Sequence, residues 1–232
     1  MPAPVLHRLS WLPLVALLAA CGGSEIAVRA QGTPLVASLA RSSAPGIAEL
    51  RAGQLAGARA GFEAALRSDP DRMDALNDLA VAYHLEGRFE AARQLLDEVV
   101  TRGTPREQQL ALVNLAELYA LDGYLDAAAA HLDGAREIDP QRPEPAYARA
   151  LLADGEGDAD AARWLQEALR LDAEGTARRS LAFVYPEERI HLEALLAEAA
   201  GDRATAQARW RELRAGRFPA LAAAAQRRLG EP

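Results

Sequence analysis

The chain has 232 residues, of which half are apolar and a quarter are charged, a composition typical of a folded globular protein. Its net charge is −7, and all 26 of its basic residues are arginine. Because these arginines are scattered through an acidic chain, the sequence lacks the basic patch that nucleic-acid binding requires. We therefore exclude nucleic acid as a partner.

The N-terminus predicts an export signal. His7 and Arg8 precede the apolar run LSWLPLVALLAA at residues 9–20, which is too short for a membrane-spanning helix of about 20 residues but suits the core of a signal peptide. The run ends at the only cysteine of the chain, in the sequence Leu-Ala-Ala-Cys21, which resembles the lipobox of bacterial lipoproteins. The resemblance implies cleavage after residue 20 and acylation of Cys21. A plain signal peptide, or an uncleaved start in a cytoplasmic protein, is the alternative.

The resemblance to lipoproteins also implies a location. Gly22 follows Cys21 where an aspartate would favour retention in the inner membrane, so we expect an outer-membrane anchor with the protein facing the periplasm. Residues 21–43 show no sustained periodicity and are predicted to form a flexible tether, in which Thr33 and Pro34 could begin a short helical turn through Arg41. Residues 44–232 form the predicted folded domain.

A glycine followed five residues later by an alanine occurs five times in the predicted domain. The spacing between successive glycines is 34, 36, 34 and 44 residues. A repeat of about 34 residues is typical of stacked helical hairpins, in which the glycine ends the first helix and the alanine lies in the second. The pairs are Gly53/Ala58, Gly87/Ala92, Gly123/Ala128, Gly157/Ala162 and Gly201/Ala206.

Apolar residues at helical spacing flank these glycines, most clearly in the second and third units. Small residues recur in the first helices, where two helices would cross closely, and a proline ends several units. The positions are Leu76, Leu79, Ala80, Tyr83, Phe89, Leu96 and Val99 in unit two, Leu112, Leu115, Ala116, Tyr119, Leu125, Leu132 and Ala135 in unit three, and Ala150 and Ala194 in the later units.

This pattern resembles the tetratricopeptide repeat. The resemblance implies an all-α superhelix of about five helical hairpins over residues 45–218, followed by a C-terminal capping helix at 220–229 with Arg227 and Arg228 facing water. Unit four departs from the pattern because Leu165 and Ala168 lie one residue earlier relative to the glycine than in the other units.

The family's binding surface is the concave face, lined by first-helix residues that do not point into the core. Asn77 and Asn114 are the best candidates, because an amide can pair with both the donor and the acceptor of an extended peptide. Basic residues that would grip a terminal carboxylate are missing from these positions. The predicted protein-binding residues are Asn77, Val81, His84, Asn114, Glu117, Tyr147 and His191.

The 44-residue interval contains an insertion, residues 173–186. Its arginines and aromatic residues form a possible secondary binding site, since such residues are enriched at binding hot spots. The favoured alternative is a longer linker whose apolar residues pack on the edge of the solenoid. The candidate residues are Arg178, Arg179, Phe183 and Tyr185.

No catalytic or metal-binding motif is found, and the sequence predicts no cofactor and no small-molecule substrate. We therefore expect a non-enzymatic, lipid-anchored scaffold or adaptor that binds a protein of the cell envelope and could assist the assembly of an envelope complex. The alternatives are a regulator of a cell-wall enzyme and a self-assembling repeat protein. Partner identity and oligomeric state are left open.

Overall fold

The computed structural model describes residues 32–37, 39–40, 46–183 and 185–230. The predicted signal peptide, Cys21 and the first part of the predicted tether lie outside these residues. The described part has eleven α-helices and one 3₁₀ turn at Arg178–Ser180. The helices are α1 Ile47–Arg51, α2 Leu55–Ser68, α3 Met73–Leu85, α4 Phe89–Arg102, α5 Pro105–Leu121, α6 Leu125–Ile138, α7 Glu144–Glu156, α8 Ala161–Leu171, α9 Pro186–Ala199, α10 Arg203–Arg214 and α11 Pro219–Leu229.

The helices pair into five hairpins, α1/α2 to α9/α10, with α11 packed on the last, so the predicted all-α superhelix is confirmed. The first helices of successive hairpins also contact one another, α3 with α5, α5 with α7, and α7 with α9. They therefore share one face of the solenoid, which we call the groove. The core runs along the whole solenoid as overlapping apolar clusters.

The predicted glycines end the first helix of every hairpin. All five adopt left-handed backbone angles, with φ between 72° and 82°. In the second hairpin the N–H of Arg88, just after Gly87, donates to the carbonyl of Tyr83 at 2.8 Å, and Tyr124 donates to Tyr119 in the same way at 2.9 Å. This pattern satisfies the last carbonyls of a helix. The turn chemistry of the hairpins was therefore readable from the sequence.

Two glycines of the third hairpin give a matched prediction. Gly123→Ala should lower the free energy of unfolding by about 1 kcal/mol, because an L side chain is strained at φ 82° although no atom obstructs it. Gly134→Ala, inside α6, should instead raise it by up to about 1 kcal/mol, because alanine favours a helix and the new methyl group meets only Leu112 Cδ1, at 3.7 Å. Urea unfolding of both variants tests the sign of each change, and equal signs would contradict the argument.

Alanines line the close contacts between helices, as predicted. Ala58, Ala80, Ala92 and Ala116 are fully buried, as are Ala128, Ala150 and Ala194. Ala162 is an error in the prediction, because it is exposed and its neighbour Ala161 is buried instead. The one-residue shift that was noted for Leu165 and Ala168 therefore begins at the start of α8.

The C-terminal helix α11 packs on α10 and also reaches back to α7. As predicted, both arginines of this helix are exposed, but their guanidinium groups also bind α7. The Arg227 guanidinium donates to the carbonyl oxygen of Asp154 at 2.8 Å, and the Arg228 guanidinium pairs with the Asp154 carboxylate. These contacts tie the end of the chain to the fourth hairpin.

The described part of the predicted tether contains no helix and is largely buried. Residues 32–37 and 39–40, which we call the N-terminal segment, lie extended across the groove. Leu35 and Val36 are fully buried in the core cluster of the later hairpins, whereas Ala37 joins the cluster of the first two. The segment therefore runs along the first helices in the direction opposite to the order of the repeats.

Candidate functional site

The groove is occupied by the chain itself. The seven residues predicted to bind a partner all lie on the first helices, and all of them are buried in this structure. Their exposure was expected because the sequence alone gave no sign that anything covers them. The N-terminal segment and the insertion cover this face together. In this conformation the predicted residues contact the chain's own groups.

The N-terminal segment is held mainly through its main chain. The N–H of Thr33 donates to the carbonyl oxygen of Ala120 at 3.1 Å, that of Leu35 to the Glu117 carboxylate, and that of Ala40 to Asp78 Oδ1 at 2.8 Å. The acceptors therefore come from α3 and α5. These contacts bind the peptide backbone of any residue type.

The insertion supplies the neighbouring extended strand. Ala37 and Ala182 exchange two main-chain hydrogen bonds, both of 3.0 Å, in an antiparallel bridge. Leu181 is buried, and Phe183 and Tyr185 pack against the core. The favoured expectation that the insertion's apolar residues pack on the solenoid therefore agrees with the structure, and the packing is on the groove side.

The two predicted asparagines form a relay rather than a pair of separate sites. Asn114 Nδ2 donates to Asn77 Oδ1 at 2.8 Å, and Asn77 Nδ2 donates to Asp78 Oδ1 at 3.1 Å. The same Asp78 oxygen accepts from the N–H of Ala40. The amides thus orient a carboxylate that binds the segment. Asp78 was not among the predicted binding residues, although its position directly after Asn77 on a groove helix could have indicated it.

Glu117 lies beneath the middle of the N-terminal segment. Burial raises the pKa of its carboxyl to about 7, against the opposing effects of the Glu188 carboxyl and the Leu35 N–H. Glu188, on α9, is also fully buried. Two carboxyl groups this close in a dry environment cannot readily both ionise, so the pair holds a proton. Glu188 was not among the predicted residues.

Tyr147 anchors the start of the insertion. Its hydroxyl donates to Asp172 Oδ2 at 3.1 Å, and burial, together with the Asp172 charge, raises the pKa of this hydroxyl. The Asp172 carboxylate also accepts the main-chain N–H groups of Ala177 and Arg178, each at 2.9 Å. The Arg179 guanidinium donates to the Glu174 carbonyl oxygen at 2.9 Å. Both arginines are therefore engaged in the insertion's own structure.

Tyr147→Phe should loosen the insertion. The change removes one hydrogen bond to a buried carboxylate and should cost about 1 to 2 kcal/mol. Trypsin should then cleave faster after Arg178 and Arg179 in the native protein, as measured by mass spectrometry. Tyr124→Phe is the control, because the Tyr124 ring is 63% exposed. Equal cleavage rates in the two variants would contradict a role for Tyr147 in holding the insertion.

His191 and His84 lie on helices α9 and α3 of the groove. His191 Nε2 lies 2.8 Å from Asp154 Oδ2, and its ring contacts Trp210 edge to face. His84 packs edge to face against Phe89 and Tyr185. Within the described residues, no group of three His, Cys, Asp or Glu side chains could hold a metal ion. The buried Asp154–His191 pair connects helices α7 and α9.

A cleft of about 390 Å³ remains between the first two hairpins, the insertion and α9. Val81 lies on its wall, beside Leu39 of the N-terminal segment and Phe183 of the insertion. Arginine side chains from α1 and α9 also contribute to it. The lining residues are Leu39, Leu50, Arg51, Val81, Leu85, Leu181, Ala182, Phe183, Pro186 and Arg189.

None of the helices in the described ranges is both long enough and apolar enough to cross a membrane.

The tetratricopeptide repeat family model matches residues 45–107, which contain the first two hairpins. Two crystal structures of MamA are similar. One is 18% identical over 80% of this chain and 96% of that chain, and the other is 16% identical over 80% and 91%; both have a TM-score of 0.44. No curated protein matches the sequence. The chain thus contains a region similar to the tetratricopeptide repeat at residues 45–107, within an all-α superhelix of helical hairpins.

Proposed function

We propose that the protein is a lipid-anchored scaffold of the bacterial cell envelope that binds an extended segment of another protein in its groove. The observation that supports this function is the way the groove holds the N-terminal segment, through main-chain hydrogen bonds and buried apolar side chains. A surface that binds one extended peptide in this way has the chemistry to bind another. The scaffold is proposed to act in the assembly of an envelope complex and not as an enzyme.

The proposed anchor is Cys21, acylated after cleavage of residues 1–20, in the outer membrane on its periplasmic side. Ten residues lie between Cys21 and Gly32, and the eleven residue-to-residue steps span at most about 40 Å. An anchored protein with its N-terminal segment in the groove would therefore stay close to the membrane. Each buried acyl CH₂ contributes about 0.8 kcal/mol to the anchoring.

Metabolic labelling with a palmitate analogue tests the anchor. The parent protein should be labelled and should fractionate with the outer membrane, whereas Cys21→Ser should lose the label. Because Cys21 is the only cysteine, this variant has no second thiol that could be modified. Labelling that persists in Cys21→Ser, or a parent protein that stays unlabelled, would overturn the lipid anchor.

Site-specific photo-crosslinking in cells tests partner binding at the groove. A photoreactive phenylalanine at position 183, on the wall of the cleft, should give one defined adduct with another protein. The matched control places the same group at the exposed Tyr124, which is not part of the groove lining. Adducts that form equally from both positions, or from neither, would count against groove binding. An adduct with a cell-wall hydrolase would favour the regulatory alternative, and one with a second copy would favour self-assembly.

A further inference from the structure

The N-terminal segment occupies the groove as a bound peptide would. Its main-chain donors at residues 33, 35 and 40 reach acceptors on α5 and α3, and Ala37 pairs with the insertion. Leu35 and Val36 are fully buried. Ala40 is 38 residues from its acceptor Asp78, and Leu35 is 82 residues from its acceptor Glu117. No local helix or turn therefore imposes these contacts.

The segment also fits the groove closely at its start. A methyl group on Gly32 would collide with the carbonyl oxygens of Ala120 and Leu121, the last residues of α5. A methyl group on Gly155 of α7 would lie 2.5 Å from Thr33 Cγ2 and 2.8 Å from its Oγ1. Real Cβ atoms do not approach this closely, so a methyl group on either glycine would force the segment to shift. The contact can therefore be broken from either side with a single methyl group.

The charges of the groove restrict what else it could accept. The carboxyl groups of Asp78 and Glu117 face the peptide main chain, where their oxygens accept N–H groups. A peptide with acidic side chains would be repelled here, whereas an uncharged apolar peptide would not. The docked residues fit this requirement, because Gly-Thr-Pro-Leu-Val-Ala carries no charge.

We infer that the N-terminal segment is a displaceable, tethered occupant of the groove, and that the partner inserts an extended, uncharged apolar peptide of the same kind. The inference rests on the proposed function and names the chemistry of the partner. A tethered segment competes at an effective concentration of about millimolar. The apparent affinity for a partner is the intrinsic affinity multiplied by the fraction of molecules whose groove is open. Opening the groove should therefore tighten binding of an added peptide.

The test uses a fluorescein-labelled peptide of residues 31–41 and the full chain purified in detergent. Leu35→Asp should expel the chain's own segment, because it would bury a carboxylate in an apolar site beside Glu117, and it leaves the groove helices unchanged. We expect this variant to bind the peptide at least about tenfold more tightly than the parent, by fluorescence anisotropy. The same peptide with aspartate at the Leu35 position should not bind.

Two further variants control for unrelated effects. Gly155→Ala should release the segment but should gain no binding, because its methyl group also meets the threonine of the added peptide. A peptide in which glycine replaces Thr33 should bind Gly155→Ala more tightly than it binds the parent. Gly134→Ala, which adds a methyl group to a helix away from the segment, should behave as the parent does.

A folded Leu35→Asp that binds the peptide no better than the parent would overturn the inference and make the segment a fixed part of the fold. If circular dichroism shows that Leu35→Asp does not fold, Gly32→Ala decides by the same criterion. A failed peptide test with a positive crosslink from position 183 would leave the proposed function in place and remove only this account of the partner. Peptide binding without any crosslink would support the displaceable segment and would count against a partner protein in the groove.

Discussion

Asp154→Ala should lower the free energy of unfolding by about 3 to 5 kcal/mol, because it removes the shared partner of two cationic or hydrogen-bonding side chains. The Asp154 side chain is only 4% exposed, with Oδ2 2.8 Å from His191 Nε2. Its other oxygen pairs with the Arg228 guanidinium, whose Nε lies at 3.2 Å. Burial alone would raise the pKa of this carboxyl, but His191 and Arg228 together lower it.

The direction of the Asp154 pKa shift fixes the pH range of this stabilisation. A carboxyl whose pKa is lower in the folded than in the unfolded protein stabilises the fold above the unfolded pKa, near 3.8. That stabilisation is lost as the pH falls through the folded value. The cost of Asp154→Ala should therefore be full at pH 7 and should shrink under strongly acidic conditions.

Urea unfolding at pH 7, followed by tryptophan fluorescence, measures the effect. Trp210 is a local probe, since its ring packs against His191 and its Nε1 donates to Glu198 Oε1 at 2.7 Å. Asp133→Ala is the control, because Asp133 is half exposed and its nearest arginine nitrogen is 3.9 Å away; it should cost less than about 0.5 kcal/mol. Costs within 1 kcal/mol of each other would show that the buried cluster contributes little.

The hairpins were predictable from the sequence because their determinants are local. A glycine with positive φ, an alanine five residues later and apolar residues at helical spacing all lie within one unit. These features identified five hairpins and the capping helix. The family match at residues 45–107 contains the first two hairpins, whereas the fourth hairpin departs from the pattern by the shift at Ala161 and Ala162.

The occupied groove was not predictable, for physical reasons. The N-terminal segment binds through main-chain N–H groups, which every residue except proline has, so its docking leaves little trace in the sequence. Leu35 and Glu117 are 82 residues apart, and no periodicity links them. The burial of Asn77, Asn114 and Glu117 follows from this docking. The amides of Asn77 and Asn114 bond to each other and to Asp78, and the peptide at this face belongs to the same chain.

Glu117→Gln should remove most of the decrease in stability that the parent protein shows between about pH 5 and pH 8. The Glu117 carboxyl has a pKa raised from 4.5 to about 7, mainly by burial. The folded protein therefore holds a proton that the unfolded chain has released in this range. Stability then falls as the pH rises from the unfolded to the folded pKa and changes no further above it. The loss should be on the order of 2 to 3 kcal/mol.

Glutamine should keep the contacts of Glu117 while removing its titration. Its amide oxygen can accept the Leu35 N–H, and its NH₂ group can donate to the Glu188 carboxylate. Among the described residues, no N–H or hydroxyl group donates to Glu117 Oε1. The variant should thus match the parent at pH 5 and exceed it at pH 8.

Thermal unfolding at pH 5, 6, 7 and 8 measures the difference for the parent, Glu117→Gln and the control Glu137→Gln. Glu137 is an exposed glutamate on α6, so its replacement should leave the pH profile of the parent unchanged. A parallel profile for Glu117→Gln would mean that the buried pair does not hold the proton. A flat profile would mean that the carboxyl beneath the N-terminal segment makes the closed groove more stable below neutral pH than above it.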